Sequence, residues 1–387
     1  MKKMVAVPVI LALVAFGAFA QEVSIGGGVI AHTNLLEGNN DEDSEVTTSG
    51  ATQIVRLQLS AEMETVVGTF GTWVRIQPSW SGFTTDWGAP WTPEGWPPQV
   101  HQHNSNMWGH VWWAPNDMFT VTLGQHPGAW WGQAGIGRWG FYVMAEDTLN
   151  PGFMWNMNWG AFHGTGVHDY SLSFFAGIDS GLLLEATPND MVAVRLALPV
   201  LAGGNTSDVF ADLTGQLVFN LDFGSVALTY SGDSSDAGNG SAFAYLHLGM
   251  IDGIGIDFGI GAHLHESDPE IGIGAALNAV INPEFAVRTR FQVAINTAEN
   301  APLDMLWEVL PSFTFAPGMT AFMGAGLSLR VPDEGSASMG FYLFPYVRLG
   351  SVWGPSIYTG FELRSVSIEG GDAALNWRVP IGMHFIF

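Results

Sequence analysis

The chain ends in the stretch Trp377-Arg378-Val379-Pro380-Ile381-Gly382-Met383-His384-Phe385-Ile386-Phe387. Every second residue from Trp377 onward is apolar, and the residues between them include Arg378 and His384. Successive side chains of a β-strand point to opposite faces, so this pattern predicts a strand with one continuous apolar face. Pro380 lacks an N–H donor, and we expect it at an irregular or unpaired point of the ladder. As the edge strand of a soluble protein, this segment would be prone to aggregation.

The same alternation recurs through the rest of the chain. In the segment 285–296 the odd positions are mostly large and apolar, whereas the even positions include Arg288 and Arg290. From about residue 181 onward, tight turn signals such as Asn282-Pro283-Glu284 recur about 31 to 37 residues apart, with a more polar break between them. The repeated unit is a hairpin of two strands of about 10 to 13 residues, which is long enough to cross a tilted barrel wall.

Composition favours a membrane barrel over a helical membrane protein. The chain is 47% hydrophobic and 12% charged, whereas ordinary soluble domains are about 25% charged. Beyond the first residues, no apolar run is long enough for a spanning helix, and closed barrels are the other fold that satisfies backbone polar groups in lipid. We predict an all-β, antiparallel transmembrane barrel of about 18 strands, with a range of about 16 to 20. A soluble β-sandwich, whose strands also alternate, is the alternative.

The N-terminus and two internal regions differ from the barrel pattern. Residues 1–20 contain a basic start, an apolar core and Ala18-Phe19-Ala20 before Gln21, which predicts a cleaved secretory signal peptide. Residues 21–387 then form a single barrel. Early strands are expected at about 23–32, 53–65, 70–79, 107–114 and 118–126, with 13 more from residue 181 onward. The regions 81–106 and 127–180 are expected to form constriction or extracellular loops.

Charge and cysteine content exclude several classes of function. Both lysines lie in the predicted signal, which leaves ten Arg against 36 Asp and Glu, a formal charge of −26 with His neutral. No basic footprint for a nucleic acid is present, and the absence of Cys excludes thiolate metal sites and a lipoprotein anchor. We expect no cofactor and no metal. The pairs His101/His103 and His263/His265 lack a third ligand at a fixed spacing, and the acidic segment 37–45 lacks the spacing of a calcium loop.

The last dozen residues resemble the C-terminal signal strand of outer-membrane proteins of two-membrane bacteria, in which alternating apolar residues finish on a terminal Phe. This resemblance implies that Phe385 and Phe387 are recognised by the barrel-insertion machinery and that the mature protein resides in the outer-membrane lipid bilayer. By pattern, the remaining chain looks like a porin, and its leader and hairpin spacing are similar to those of porin-like proteins of spirochaetes. Trimers are common among porins, so a homotrimer is implied by resemblance.

Charged residues on the face opposite the apolar one are the candidate pore lining. A guanidinium that faces lipid near the midplane costs about 2 to 4 kcal/mol, so inward placement is expected. Opposed basic and acidic groups in a lumen order water and filter solutes by charge; the alternative is that they only stabilise the wall as ion pairs. The candidates are Arg56, Arg75, Arg195, Arg288, Arg290, Arg330, Arg348, Arg364, Glu62, Glu64, Asp257, Asp304 and Glu308.

Tryptophan is concentrated in one part of the chain. Twelve of the 16 tryptophans lie between Trp80 and Trp159. Placement at the membrane interface explains some of them. The surplus favours either a plug folded into the pore or an aromatic track on which sugar rings stack. The candidates for the track are Trp87, Trp91, Trp96, Trp130 and Trp131.

These observations predict a porin that allows passive diffusion of small hydrophilic solutes through a lumen lined by arginines and acids. One alternative is a substrate-preferring channel, for example for saccharides, that uses the Trp-rich loop. A second alternative is a surface adhesin or structural barrel that conducts nothing. The chain contains no G-x-S-x-G, H-E-x-x-H or P-loop motif, so we do not expect an enzyme.

Overall fold

The computed structural model describes residues 22–40, 46, 52–81, 105–125, 180–199, 210–233, 239–264, 269–297, 301–350, 355–367 and 371–386. The strands are β1 (Glu22–Asn39), β2 (Thr52–Thr65), β3 (Gly68–Ser81), β4 (Ser105–Asn116), β5 (Phe119–Gln125), β6 (Ser180–Asn189), β7 (Val192–Pro199), β8 (Thr214–Leu221), β9 (Gly224–Asp233), β10 (Asn239–Ile251), β11 (Ile254–Leu264), β12 (Glu270–Val280), β13 (Phe285–Asn296), β14 (Leu303–Ala316), β15 (Met319–Val331), β16 (Ser338–Gly350), β17 (Ser356–Gly360), β18 (Glu362–Ser367) and β19 (Ala374–Ile386). Among the described residues, no helix has the length and apolar content needed to cross a membrane.

All of these strands join in one antiparallel sheet that closes on itself. Each strand from β1 to β16 pairs with its neighbours in the chain, and β19 pairs with β1 to complete the ring. β17 and β18 both lie between β16 and β19, so these two strands share one position in the wall. The described strands therefore form a closed barrel of eighteen wall positions, within the range predicted from the sequence. Closure leaves no open sheet edge, which is what lipid requires of a spanning sheet.

The wall position that β17 and β18 share is interrupted next to two prolines, Pro380 on β19 and Pro345 on β16. On one side of Pro380, the pairing of β19 with β1 shifts register just after Asn34. On its other side, β17 pairs as far as Thr359 and β18 pairs from Glu362, with a break between them. Both neighbouring ladders are irregular at this point, and the missing N–H of the proline removes a hydrogen bond from the one ladder toward which it would point. The sequence-based expectation for Pro380 is confirmed.

Short turns connect the strands at one end of the barrel, which we call the short-turn end. They lie at 66–67, 117–118, 190–191, 222–223, 252–253, 281–284 and 317–318. Two of these turns share the sequence Pro-Asn-Asp-Met, and in each the Asn side chain (Asn116, Asn189) accepts a hydrogen bond from the backbone N–H two residues on, at 2.9 Å. Gly253 and Gly318 have φ angles of 77° and 73°, a conformation that only glycine adopts without strain. Local turn chemistry thus sets the hairpin ends.

The two faces of the wall differ in chemistry as the alternation predicts. In β15 the even positions from Thr320 to Ser328 are buried, whereas the odd positions between them are more exposed. Exposed large apolar side chains such as Phe291, Trp307 and Leu327 occupy the outer face around the ring. Charged residues of the strands occupy the opposite, inner face. An apolar outer band with a polar interior is the arrangement of a transmembrane barrel.

β2 to β5 lie within two residues of their predicted bounds, whereas β1 continues to Asn39, well beyond the predicted end at residue 32. β5 pairs directly with β6. The predicted signal peptide 1–20 lies outside the described residues. The predicted loop regions 81–106 and 127–180 also lie outside them, except at their edges, where Ser81, Ser105, Asn106 and Ser180 belong to strands.

Candidate functional site

Strand register places the thirteen predicted lining residues on the inner face of the barrel. For Arg56, Arg290 and Arg364 this rests on the backbone register alone. Arg290 is directly opposite Glu308, whose side chain is buried. The structure therefore brings the charged residues to one surface, and their role in permeation stays a prediction.

Arg330 and Asp304 form a bidentate ion pair between β15 and β14. Nε of Arg330 donates to Oδ1 of Asp304, and Nη2 donates to Oδ2, both at 2.9 Å. The Asp304 side chain is 8% exposed and that of Arg330 is 34% exposed. Two parallel charge-assisted hydrogen bonds hold the guanidinium in one orientation. This ion pair links β14 to β15, and part of the Arg330 guanidinium group stays exposed to the interior.

Arg378 and Glu362 form the most deeply buried ion pair among the described residues. Nε of Arg378 donates to Oε2 of Glu362 at 2.5 Å, and the side chains are 7% and 3% exposed. Glu37 on β1 lies opposite Arg378 on the other side. Two ions removed from water repay their desolvation only when the pairing is close. This pair therefore belongs to the structural part of the wall.

Arg195 bonds to side chains on both neighbouring strands, and Arg288 bonds to a side chain on one neighbouring strand. Arg195 on β7 donates to Glu185 on β6 at 3.1 Å and to Gln216 on β8 at 2.9 Å. Arg288 on β13 donates through Nε to Asn278 on β12 at 3.0 Å. Such bonds tie adjacent strands together and partly neutralise the cation where an acid is involved. The predicted arginine strip is thus built into cross-strand contacts.

An aromatic cluster occupies the inner face of β15, β16 and β17. The rings of Phe322 and Tyr346 stack at 4.5 Å between centroids, and those of Phe344 and Tyr346 stack at 4.9 Å. Tyr358 is 1% exposed and shares a hydrogen bond with Ser356. Arg348 lies over the Phe322 ring at 5.2 Å, a distance at which the ring attracts a cation. Phe344, Tyr346 and Tyr358 are buried, so this part of the inner wall is packed.

Asp257 on β11 is the acceptor of a small polar network with β10. Its Oδ1 accepts a hydrogen bond from the Tyr245 hydroxyl and lies 2.8 Å from Nδ1 of His247. Tyr245 is buried, whereas the His247 side chain is 42% exposed. The carboxylate is therefore held in one orientation by a buried phenol and a more exposed imidazole.

A cavity of about 290 Å³ lies against the inner wall formed by β1 to β4, toward the short-turn end. Glu22 and Glu62 lie directly opposite each other on β1 and β2, and both are exposed. The rings of Trp73 and His110 stack at 5.4 Å. The residues around the cavity are Glu22, Ser24, Ser60, Ala61, Glu62, Thr72, Trp73, His110 and Trp112. This is the part of the described inner wall where exposed carboxylates and aromatic rings meet at an open volume.

Arg75 lies beside this cavity and is engaged by its neighbours. Its guanidinium carbon is 5.0 Å from the centroid of the Trp73 ring. The Gln58 side chain, with its oxygen turned toward β3, accepts hydrogen bonds from Arg75. Arg75 therefore lies further from the short-turn end than the Glu22–Glu62 pair. Trp73 and Gln58 hold its guanidinium group.

Several predicted residues fall outside the described part of the chain. These are Trp87, Trp91, Trp96, Trp130, Trp131, Phe387, His101, His103 and His265. Phe385 is described, and its side chain is 50% exposed on the outer face. The proposed recognition of the C-terminal strand during insertion stays a prediction.

Sequence reasoning placed Arg378 on the inner face without identifying its partner, and it did not select Glu22, Tyr245 or the aromatic cluster. Period-two parity was the available signal, because Phe344, Tyr346 and Arg348 share one side of β16. The same parity puts Glu22 on the side of Ser24. Parity alone does not say which inner residues are covered and which face open space.

Comparisons with known proteins give a fold without a sequence family. No family model matches the chain, and no curated protein matches it. Solved structures do match. OccAB4 of Acinetobacter baumannii shares 10% identity over 95% of this chain and 99% of that chain, with a TM-score of 0.55. A loop-deletion mutant of OmpT, an outer membrane protein of Vibrio cholerae, shares 12% identity over 95% and 99%, with a TM-score of 0.50.

A triple mutant of the Rhodopseudomonas blastica porin shares 14% identity over 95% of this chain and 100% of that chain, with a TM-score of 0.45. At these identities the first two matches establish the fold alone. Because they cover almost the whole of both chains, the likeness applies to the complete barrel. The chain has the fold of outer-membrane β-barrels.

Proposed function

We propose that this protein is an outer-membrane channel through which small hydrophilic solutes diffuse. The observation that carries the proposal is a closed ring of strands whose outer face is apolar and whose inner face bears the charged residues. Barrels of this size enclose an interior wide enough for water. The exposed carboxylates of Glu62 and Glu64 present part of that inner face to solvent.

The proposal includes where the protein works and how it gets there. The leader 1–20 directs export and is removed, and the barrel-insertion machinery recognises the C-terminal strand through Phe385 and Phe387. The mature barrel sits in the outer-membrane lipid bilayer, and three copies associate as a homotrimer. Its activity is transport and involves no catalysis, cofactor or nucleic acid.

Solute selection in this proposal follows from the charges of the inner wall. Arg195, Arg330 and Arg378 are paired with carboxylates, which reduces the field that they exert on a passing ion. Arg288 on β13 donates to the side-chain amide of Asn278 on β12. Opposed charges in a narrow lumen order water and discriminate among solutes. Arg288 and Arg290 lie two residues apart on the inner face of β13, and we expect them to contribute to the anion-attracting field.

Planar-bilayer recording tests the channel directly. We expect stable conductance steps from the purified mature barrel, and a reversal potential in a salt gradient that shifts toward cation preference when Arg288 and Arg290 are both replaced by Gln. An Arg195→Gln variant is the comparison, because it removes one inner-face charge that is bonded to Glu185, and its shift should be smaller. A barrel that inserts without current contradicts the channel, and identical reversal potentials in all three proteins contradict the filter.

One observation favours a second candidate, a barrel that serves as a surface adhesin or structural protein and conducts nothing. Several inner-face residues of β14 to β18, such as Glu308, Tyr358 and Glu362, are at most 9% exposed, so these positions of the inner wall are covered by neighbouring groups. The absence of current from the folded barrel would support this candidate. Preference for saccharides through the Trp-rich region is tested by liposome swelling, where equal rates for sugars and other solutes of matched size contradict it.

A further inference from the structure

The cavity against β1 to β4 has acidic groups at one side and aromatic rings at the other. Glu22 on β1 and Glu62 on β2 are direct cross-strand partners. One pair further along, the hydroxyls of Ser24 and Ser60 lie 2.5 Å apart and bond to each other. The volume of about 290 Å³ is large enough for a small organic molecule rather than for a single water.

The two facing carboxylates of Glu22 and Glu62 favour the binding of a positive charge between or beside them. Residues directly opposite on antiparallel strands have Cβ atoms about 4.5 to 5.5 Å apart, and like charges at that distance repel. Within the part of the chain that the structure describes, no basic side chain is ion-paired to Glu22 or Glu62. The nearest inner-face cation on β3, Arg75, is held by Trp73 and Gln58. Removal of the proposed leader leaves one α-ammonium group at Gln21, next to Glu22, and a cation from solution would relieve the repulsion that remains.

The aromatic side of the cavity is built on a glycine. Gly71 on β3 lies opposite both Glu62 on β2 and Trp112 on β4. A Cβ at Gly71 would overlap three atoms of the Trp112 indole, so this ring lies flat against the backbone of β3. One face of the indole therefore covers Gly71, and Trp112 borders the same cavity as Glu62. The face of an indole ring attracts cations more strongly than that of any other side chain.

From this geometry we infer that the cavity is a binding site for a small organic cation of the alkylammonium class. Glu22 and Glu62 supply the counter-charge, and the Trp112 ring contacts the alkyl groups around the nitrogen. A metal ion fits less well, because among the described residues no three His, Asp or Glu side chains are grouped to coordinate one. A strongly hydrated ion also gains little from an aromatic wall, whereas a weakly hydrated ammonium gains both contacts.

This inference does not depend on conduction. The site lies on the wall of the barrel, and its occupancy is an equilibrium property of the folded protein in detergent or nanodiscs. A folded barrel that carries no current can still bind the cation, and a conducting barrel can fail to bind it. The two proposals are therefore contradicted by different results.

The test is a titration of the exported, untagged barrel with choline, followed by calorimetry and by saturation-transfer NMR. The probe's neutral isostere, 3,3-dimethylbutan-1-ol, has the same shape without the charge and is measured in parallel. Three variants are compared, namely Glu62→Gln, Trp112→Leu and, as the matched control, Glu64→Gln. Glu64 lies on the same strand and the same face as Glu62 and is equally classed as exposed, but it does not border the cavity.

We expect choline to bind and the neutral isostere to bind at least about 3-fold more weakly, since only the former interacts with the carboxylates. Glu62→Gln should weaken choline binding about 3- to 5-fold, and Trp112→Leu about 2- to 5-fold. Glu64→Gln should leave the affinity unchanged. Comparable binding of the isostere, equal losses for Glu62→Gln and Glu64→Gln, or complete displacement of choline by an equal concentration of sodium would each overturn the inference. Unchanged SDS resistance of the folded barrel shows that the variants are folded.

Discussion

Two parts of the inner wall carry glutamates that differ in burial and in the charge of their cross-strand partner. Between β18 and β19, Glu362 and Arg378 are paired and buried, with side chains 3% and 7% exposed. Between β1 and β2, Glu22 and Glu62 face each other as like charges and are exposed around a cavity. The first arrangement stabilises the sheet, and the second leaves charge available to solutes.

The difference follows from the cost of burying charge. A charge removed from water is costly unless an opposite charge and hydrogen bonds replace the lost hydration. An exposed like-charge pair is tolerated, because water and dissolved ions screen the repulsion. Position on the inner face is therefore not enough to assign a residue to permeation or binding. Burial and pairing separate the residues that hold the wall from those that contact what enters.

The largest expected effect comes from breaking the buried pair. Arg378→Gln leaves the Glu362 carboxylate buried without its ion-pair partner, and we expect the free energy of unfolding to fall by about 3 to 5 kcal/mol. Urea denaturation of the barrel in lipid vesicles measures this loss. Arg195→Gln is the control, because the side chains of its pair with Glu185 are 21% and 29% exposed, and its loss should stay below about 1 kcal/mol. Equal losses would mean that burial does not distinguish the two pairs.

An intermediate loss of stability is expected at the Asp304–Arg330 pair, in which only the aspartate is buried. Asp304→Asn removes the charge and one of the two acceptors of Arg330, and we expect a loss of about 1 to 2 kcal/mol, less than for Arg378→Gln because Arg330 is 34% exposed. Arg330→Lys keeps the charge but not the bidentate geometry, so it should cost about half as much by the same denaturation measurement. A lysine variant as unstable as Asp304→Asn would show that geometry, rather than charge, carries the pair.

Which side of each strand faces the interior could be predicted from the sequence. In β13, Arg288 lies on the inner face and Phe291 is 43% exposed on the outer face, as alternation indicates. The prediction succeeds because a shift of one residue would turn every charge of the strand toward lipid. Pro380 is a second success, since the missing N–H has only a local consequence.

Partners and burial could not be predicted in the same way. Glu362 bonds to Arg378 because the register of β18 against β19 places these two residues directly opposite each other, and period-two alternation does not specify that register. The exposure of Glu62 and the burial of Glu362 are likewise invisible to alternation, because both residues are acids on inner-facing positions. They differ in what lies next to them in space, such as the Arg378 guanidinium in one case and the cavity beside Trp112 in the other.

The smallest expected effect on stability is at the exposed pair, and its dependence on salt sharpens the contrast. Glu22→Gln or Glu62→Gln removes a cross-strand repulsion, so the free energy of unfolding should stay the same or rise by less than about 0.5 kcal/mol. At about 1 M salt the screening length falls to roughly 3 Å, and this small gain should vanish. The loss caused by Arg378→Gln should persist at high salt, because ions do not reach a buried pair. Denaturation curves of both variants at low and high salt make the comparison, and a salt-sensitive loss for Arg378→Gln would place the Glu362–Arg378 pair in contact with water.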